Sequence, residues 1–144
     1  MSLKDGNKKM SKSDPSDLSR INLNDSKDDI VNKIKKAKTD DQALPYDDKN
    51  LKERPEAENL LGIYSSLSDQ TLKKTINEFS GKNFAEFKSR LSELLVEKIN
   101  PISNEITKLQ KEENYIDKIL SDGAEKADLY AEKKVKEMKK IIGF

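Results

Sequence analysis

The stretch NFAEFKSRLSELLVEKINPISNEITKLQKE, residues 83–112, decides the fold class of this chain. Its apolar residues recur at intervals of three and four, which places them along one stripe of an α-helix. Pro101 lies inside the stretch, so we expect the helix to kink or divide there. We interpret the stripe as the core of an intramolecular bundle; a coiled coil or a groove for a partner helix is the alternative. The stripe comprises Phe84, Phe87, Leu91, Leu94, Leu95, Ile99, Ile102, Ile106 and Leu109.

Three shorter segments upstream carry the same periodicity. Residues 25–40 have Asp25 or Ser26 as N-cap, acids in the first turn and lysines in the last, as the helix dipole favours. In residues 54–67 a proline occupies the first turn, and Ser68 is expected to cap the next helix, which ends near Gly81. The predicted apolar faces are Ile30, Val31, Ile34 and Ala37; Leu60, Leu61, Tyr64 and Leu67; and Leu72, Ile76 and Phe79. The lysines of the first helix, Lys33, Lys35, Lys36 and Lys38, are placed mostly on its other faces.

A last segment, residues 116–142, repeats the apolar pattern, and Gly123 is expected to break it. Acids alternate with its lysines, so a solvated face fits better than a phosphate-binding surface. Its apolar residues are Ile116, Ile119, Leu120, Ala127, Tyr130, Ala131, Val135, Met138, Ile141 and Ile142. Residues 1–24 form a loop with one short helical turn starting near Asp14, and residues 39–54 form an acidic linker that docks through Pro45 and Tyr46. The fold class predicted is all-α: a helical bundle over residues 25–144 with a flexible N-terminal loop segment, residues 1–24.

Composition removes several classes of chemistry. The 144 residues suit one domain, and 28 Lys and Arg residues against 27 Asp and Glu residues leave no global attraction to nucleic acid or membrane. There is no cysteine and no histidine, which excludes disulfides, thiolate sites and histidine-based catalysis. Adjacent acids at residues 40–41 and 47–48 come with no further ligands, so we predict no metal site. No apolar run is long enough for a membrane span, and a cytoplasmic protein without membrane contact is expected.

The stretch KKMSKSDPSD, residues 8–17, is the candidate site. Lysines at positions 9 and 12 suit a polyphosphate, and small serines between them let backbone and hydroxyl groups approach its oxygens. From chemistry alone, a disordered polar tail explains the stretch equally well.

Resemblance to a known family separates these two interpretations. KMSKS at residues 9–13 is identical to the second signature of class I aminoacyl-tRNA synthetases, and the residues that follow resemble the tryptophanyl-tRNA synthetases of bacterial and mitochondrial type. The likeness continues through RPEAENLLGIYSSLS, residues 54–68, and GKNFAEFKSRLSELLVEKINPI, residues 81–102. Tyrosyl-tRNA synthetase is the more distant alternative.

The resemblance implies a specific role for the loop. The family activates tryptophan with ATP, releasing pyrophosphate, and passes the acyl group to the 3′ end of its tRNA. By motif position, Lys9 and Lys12 would be catalytic and stabilise phosphate charge. Met10 and Ser11 would pack near the nucleotide, and Ser13 would shape the loop. The implied partners are tRNA(Trp), ATP with Mg²⁺, and tryptophan.

The family's first signature contains histidine and lies in a nucleotide-binding half, and this chain has neither. The resemblance therefore implies the C-terminal part of a longer enzyme, inactive alone, with Met1 either an internal methionine or an introduced start. Residues 1–24 would be the loop and connector, and residues 25–144 the domain that receives the anticodon arm. The family dimerises mostly through the absent half, so the resemblance leaves monomer or dimer open for this piece. The alternative of another class is a non-catalytic helical module that binds tRNA or protein.

Overall fold

Helices account for the regular structure of residues 1–49 and 51–144, which the computed structural model describes. The helices are α1, Lys27–Lys36; α2, Pro55–Leu67; α3, Leu72–Phe79; α4, Phe84–Leu109; and α5, Glu113–Ile142. Short 3₁₀ turns span Asp17–Ser19 and Leu51–Glu53. An isolated bridge between Ser2 and Asp5 is the only β pairing in these described ranges. The all-α prediction is confirmed.

The helix starts follow from local sequence. Ser26 caps α1: its hydroxyl accepts a hydrogen bond from the Asp29 amide, 3.1 Å away, and its own amide donates to the Asp29 carboxylate at 3.2 Å. Pro55 opens α2, where a missing amide hydrogen costs nothing. For α3 the predicted cap was wrong. Thr71 accepts from the Lys74 amide, whereas Ser68 is the C-cap of α2.

The chain divides into two compact units, residues 1–104 and residues 105–144. The core of the first unit is built on α4, since five of its stripe residues are buried: Phe84, Phe87, Leu91, Leu95 and Ile99. Three aromatic rings meet in this core. The Phe79 ring centroid lies 4.8 Å from that of Tyr64 and 4.8 Å from that of Phe87, and the Tyr64 and Phe87 centroids are 5.9 Å apart. The Phe79 contacts are edge-to-face, the arrangement that the ring quadrupoles favour. The prediction of an intramolecular core is confirmed up to Ile99; Ile102 is 47% exposed.

The second unit differs from the prediction. Gly123 does not break α5, because one glycine costs a helix about 1 kcal/mol yet keeps its backbone hydrogen bond. In the first unit, Pro101 likewise lies inside α4 and does not divide it. No residue of α5 is buried, so its apolar stripe forms no core with the part of the chain that the structure describes. Its lysines are exposed and pair along the helix, as with Lys136 and Glu132 at 3.0 Å, which agrees with a solvated face.

The segment between α1 and α2 docks chiefly through Leu44, directly before the predicted Pro45, which is half-buried, and Tyr46. Leu44 is 1% exposed, and its backbone exchanges hydrogen bonds with Lys82 and Gly81 at 2.9 and 3.1 Å. Tyr46 touches Gly81 but stays 75% exposed. In the part of the chain that the structure describes, no helix has the length and hydropathy needed to cross a membrane.

Candidate functional site

The five residues of the signature loop, residues 9–13, are all exposed. A turn closes the loop at its far end, where the Asp14 amide donates to the Ser11 carbonyl at 3.3 Å. The hydroxyls of Ser11 and Ser13 lie 3.2 Å apart. Within residues 1–49 and 51–144, no carboxylate lies within ion-pair distance of the Lys9 or Lys12 ammonium. Both charges are therefore available to an anion.

The N-terminal flank of the loop is packed. Leu3 is 4% exposed, and its amide donates to the Ser19 carbonyl at 2.9 Å while its carbonyl accepts from Lys38 at 2.8 Å. The side-chain amide of Asn59, on α2, donates to the Ser2 carbonyl at 3.1 Å. The Ser2 amide donates to the Lys8 carbonyl at 2.8 Å, which closes this flank directly before the loop. The segment was predicted to be flexible, yet these contacts hold it against the helices.

The C-terminal flank is held by polar contacts. Asp14 starts a turn in which its carboxylate accepts from the Ser16 amide at 2.8 Å, and its carbonyl accepts from Arg20 at 3.1 Å. The one helical turn predicted near Asp14 is the 3₁₀ turn Asp17–Ser19, a few residues later. Arg20 also lies 3.0 Å from the Asp17 carboxylate.

Lys33 joins this flank to α1. Its ammonium lies 2.6 Å from Asp25 and 2.5 Å from Asp17, and its side chain is 4% exposed. Burial by itself would lower the pKa of Lys33, but the hydrogen bonds to Asp17 and Asp25 outweigh it, so the pKa is raised. The hydrogen bonds from Lys33 and Asn22 lower the pKa of the Asp17 carboxyl. The lysine therefore stays charged, and the prediction that placed it away from the buried face was wrong.

The spacing along α1 could have identified Lys33. Ile30, Lys33, Ile34 and Ala37 share the interval of three and four that defines one helix face, and all four are buried. A lysine on such a face needs a carboxylate partner. The partners come from the loop connector, at positions that no helical period indicates.

A cleft of about 900 Å³ lies between the signature loop and α2. Met10 is the one residue of the signature loop that lines it, together with residues of α2 such as Ile63 and Leu67. Lys9, Ser11, Lys12 and Ser13 are outside its lining. The structure thus directs the apolar member of the loop toward the helices.

The Mg²⁺ implied for the longer enzyme finds no fit here. Among the described residues, no three acidic side chains come together in a group that could hold a metal ion. Asp40, of the adjacent acids at residues 40–41, binds Arg54 instead: the Arg54 Nε and Nη2 lie 2.9 and 2.6 Å from the two Asp40 carboxylate oxygens.

The all-α class of the unit behind the signature loop agrees with the family resemblance. Residues 1–139 match the family described as tRNA synthetases class I (W and Y). The chain belongs to this family.

Within it, the chain is similar along its whole length to tryptophan–tRNA ligases. It is 57% identical to that of Agrobacterium fabrum over 144 residues, which are 100% of this chain and 41% of that protein. It is 51% identical to that of Mesorhizobium japonicum over 143 residues, 99% of this chain and 40% of the relative. For Rickettsia typhi the identity is 49% over 145 residues, 100% of this chain and 43% of that protein. The chain thus spans about two-fifths of the length of these relatives.

Proposed function

We propose that residues 1–144 act as the C-terminal part of a tryptophan–tRNA ligase. The observation that carries the proposal is the signature loop itself: KMSKS stands exposed, with two unpaired ammonium groups, on flanks packed against the helices. Similarity to tryptophan–tRNA ligases over the whole chain supports it.

In this proposal Lys9 and Lys12 neutralise the pyrophosphate that leaves ATP when tryptophan is activated. Negative charge builds up on the leaving oxygens in the transition state, so contacts from positioned ammonium groups strengthen there. Met10 and Ser11 pack near the nucleotide, and Ser13 shapes the loop. The helices of residues 25–144 receive the anticodon arm of tRNA(Trp). The intact enzyme is a cytoplasmic homodimer that uses ATP, and residues 1–144 alone do not activate tryptophan.

A chimera tests the catalytic part. Residues 1–144 replace the matching 41% of the Agrobacterium fabrum relative, and tryptophan-dependent pyrophosphate exchange is measured. Lys12→Ala should lower kcat by about 100-fold, the cost of losing one positioned donor, with a much smaller change in the KM for ATP. Lys108→Ala, which removes an exposed lysine of α4, is the matched control and should leave both parameters unchanged. Equal effects of Lys12→Ala on kcat and KM would contradict a transition-state role.

Two measurements on the isolated chain complete the test. Pyrophosphate exchange by residues 1–144 alone would contradict the proposal that this part is inactive by itself. Salt-dependent binding of tRNA(Trp), with weaker binding of other tRNAs, would support the anticodon-arm role. Binding of tRNA together with an inactive chimera would favour the non-catalytic binding module instead.

A further inference from the structure

A cluster of three charged side chains, Lys33 with Asp17 and Asp25, connects the signature loop to the helical unit. Asp17 lies four residues beyond the loop and Asp25 directly precedes the N-cap of α1. The cluster therefore links the two ends of the connector: the 3₁₀ turn behind the loop and the residue before the cap of α1. Asp25 is itself fixed, since its carboxylate accepts from the Asn22 amide at 2.8 Å and from the Asn22 side chain at 3.2 Å.

The two carboxylates have different surroundings. The Asp25 side chain is 8% exposed, whereas the Asp17 side chain is 57% exposed. Lys33 and Asp25 thus form a buried pair inside the unit, and Asp17 reaches this pair from the solvent side. Asp17 is the part of the cluster that belongs to the 3₁₀ turn behind the loop.

The Leu3 amide ties the turn to the N-terminal flank through the Ser19 carbonyl at 2.9 Å, but among the described residues no backbone hydrogen bond ties the turn to α1. The Ser19 amide donates to Ser16 at 3.1 Å, and the Arg20 amide reaches Asp17 at 3.5 Å. Both bonds are internal to the turn. The contact of Asp17 with Lys33 ties the turn to a rigid helix, and a charge-assisted bond to a buried donor is stronger than a neutral one.

We propose that Lys33 is a positioning residue for the signature loop: it holds the 3₁₀ turn Asp17–Ser19 on α1 and so fixes where Lys12 points. This inference rests on the proposed function, because Lys12 needs a fixed direction only if it meets a phosphate. Lys33 touches no substrate; it acts through Asp17 and the turn.

Amide hydrogen exchange on residues 1–144 tests the anchoring directly. Lys33→Met keeps the length of the side chain and removes its charge. Exchange should become about tenfold faster for the amides of residues 14–22, while the amides of α3 change less than about twofold. Lys33→Arg, which keeps a donor, should restore much of the protection.

Lys88 supplies the matched control. Its ammonium also contacts α1, donating to the carbonyls of Lys35 and Ala37 at 3.2 and 2.6 Å, but at the other end of the helix. Lys88→Met should speed exchange at the C-terminal end of α1 and leave residues 14–22 protected. Equal loss of protection in residues 14–22 for both variants would overturn the proposal, because Lys33 would then only stabilise α1.

Asp17→Ala covers the case in which Lys33→Met fails to fold. It keeps the buried pair of Lys33 and Asp25 and removes an exposed carboxylate, so the unit should stay folded while residues 14–20 lose protection. Unchanged exchange there would also overturn the proposal.

Kinetics in the chimera separate positioning from stability. Lys33→Met should lower kcat by about 10- to 100-fold, the range expected for a displaced catalytic group, with a smaller effect on the KM for ATP. Lys88→Met should not. An active chimera that is insensitive to Lys33→Met would overturn the positioning role. An inactive unmodified chimera would count against the proposed function, and the exchange data would still decide whether Lys33 anchors the loop.

Discussion

The ion pair between Arg54 and Asp40 should contribute measurably to stability, and a double-mutant cycle can isolate its share. Arg54 stands at the N-cap of α2, and Asp40 lies in the segment after α1, so the pair closes that segment onto the first unit. Two donors meet two oxygens in parallel, Nε to Oδ2 at 2.9 Å and Nη2 to Oδ1 at 2.6 Å. The side chains are 14% and 25% exposed, so solvent screens them only in part.

These contacts set the expected magnitude. Each charge-assisted bond contributes about 1 kcal/mol after allowance for partial exposure, which gives a coupling free energy of about 2 kcal/mol. Arg54→Ala should cost about 1 kcal/mol more than the coupling, because Nη1 also donates to the Ala43 carbonyl at 2.8 Å. For a unit of this size, 2 kcal/mol corresponds to a fall in Tm of about 8 °C or more.

The assay is urea unfolding of the parent chain, Asp40→Ala, Arg54→Ala and the double variant, followed by circular dichroism. Arg90 and Glu93 on α4 provide the matched cycle: they lie 3.1 Å apart but are 60% and 62% exposed, so their coupling should stay below about 0.5 kcal/mol. A coupling for Arg54 and Asp40 no larger than that of the α4 pair would refute the reasoning from burial and bidentate geometry.

Four further outcomes are expected. The hydrogen bond from Arg54 lowers the pKa of the Asp40 carboxyl in the folded state. The stability that this ion pair contributes is therefore present above the pKa of the unfolded state and is lost as the pH falls through the pKa of the folded state. Asp40→Asn should flatten the acid side of a curve of Tm against pH. Phe87→Ala should cost about 3–5 kcal/mol in urea unfolding, since the ring is fully buried between two aromatic neighbours. Ser26→Ala should cost about 1 kcal/mol in the same assay through loss of the α1 cap. Gly123→Ala should slow amide exchange in α5, because a new methyl meets no atom within 4 Å and alanine favours helix by about 1 kcal/mol.

Periodicity predicted most of the helices because a helix that buries one face must repeat its apolar residues at intervals of three and four. This holds for the buried apolar residues of α1 and α4 and for Leu60, Leu61 and Tyr64 of α2. Buried Lys33 and Ala57 were missed, and Val31, which was placed on the α1 face, is 45% exposed. Periodicity did not predict that α5 has no buried residue, because an amphipathic pattern indicates a helix but not what covers its apolar face.

The candidate site was found by its motif, and its surroundings were not. KMSKS is a contiguous signature, so five letters located the loop without any knowledge of the fold. Leu3, Leu44 and the partners of Lys33 became visible only in three dimensions, because they lie in segments with no regular period.

The sequence by itself therefore determined most of the helices and the cap of α1, and it located the lysine-serine loop. All of these depend on residues close together in the chain. Tertiary structure alone decided how the loop is held. Leu3 enters the core beside Ser19 and Lys38, and a lysine of α1 pairs with carboxylates eight and sixteen residues before it. Such contacts depend on how the chain returns to itself, and no local pattern encodes them.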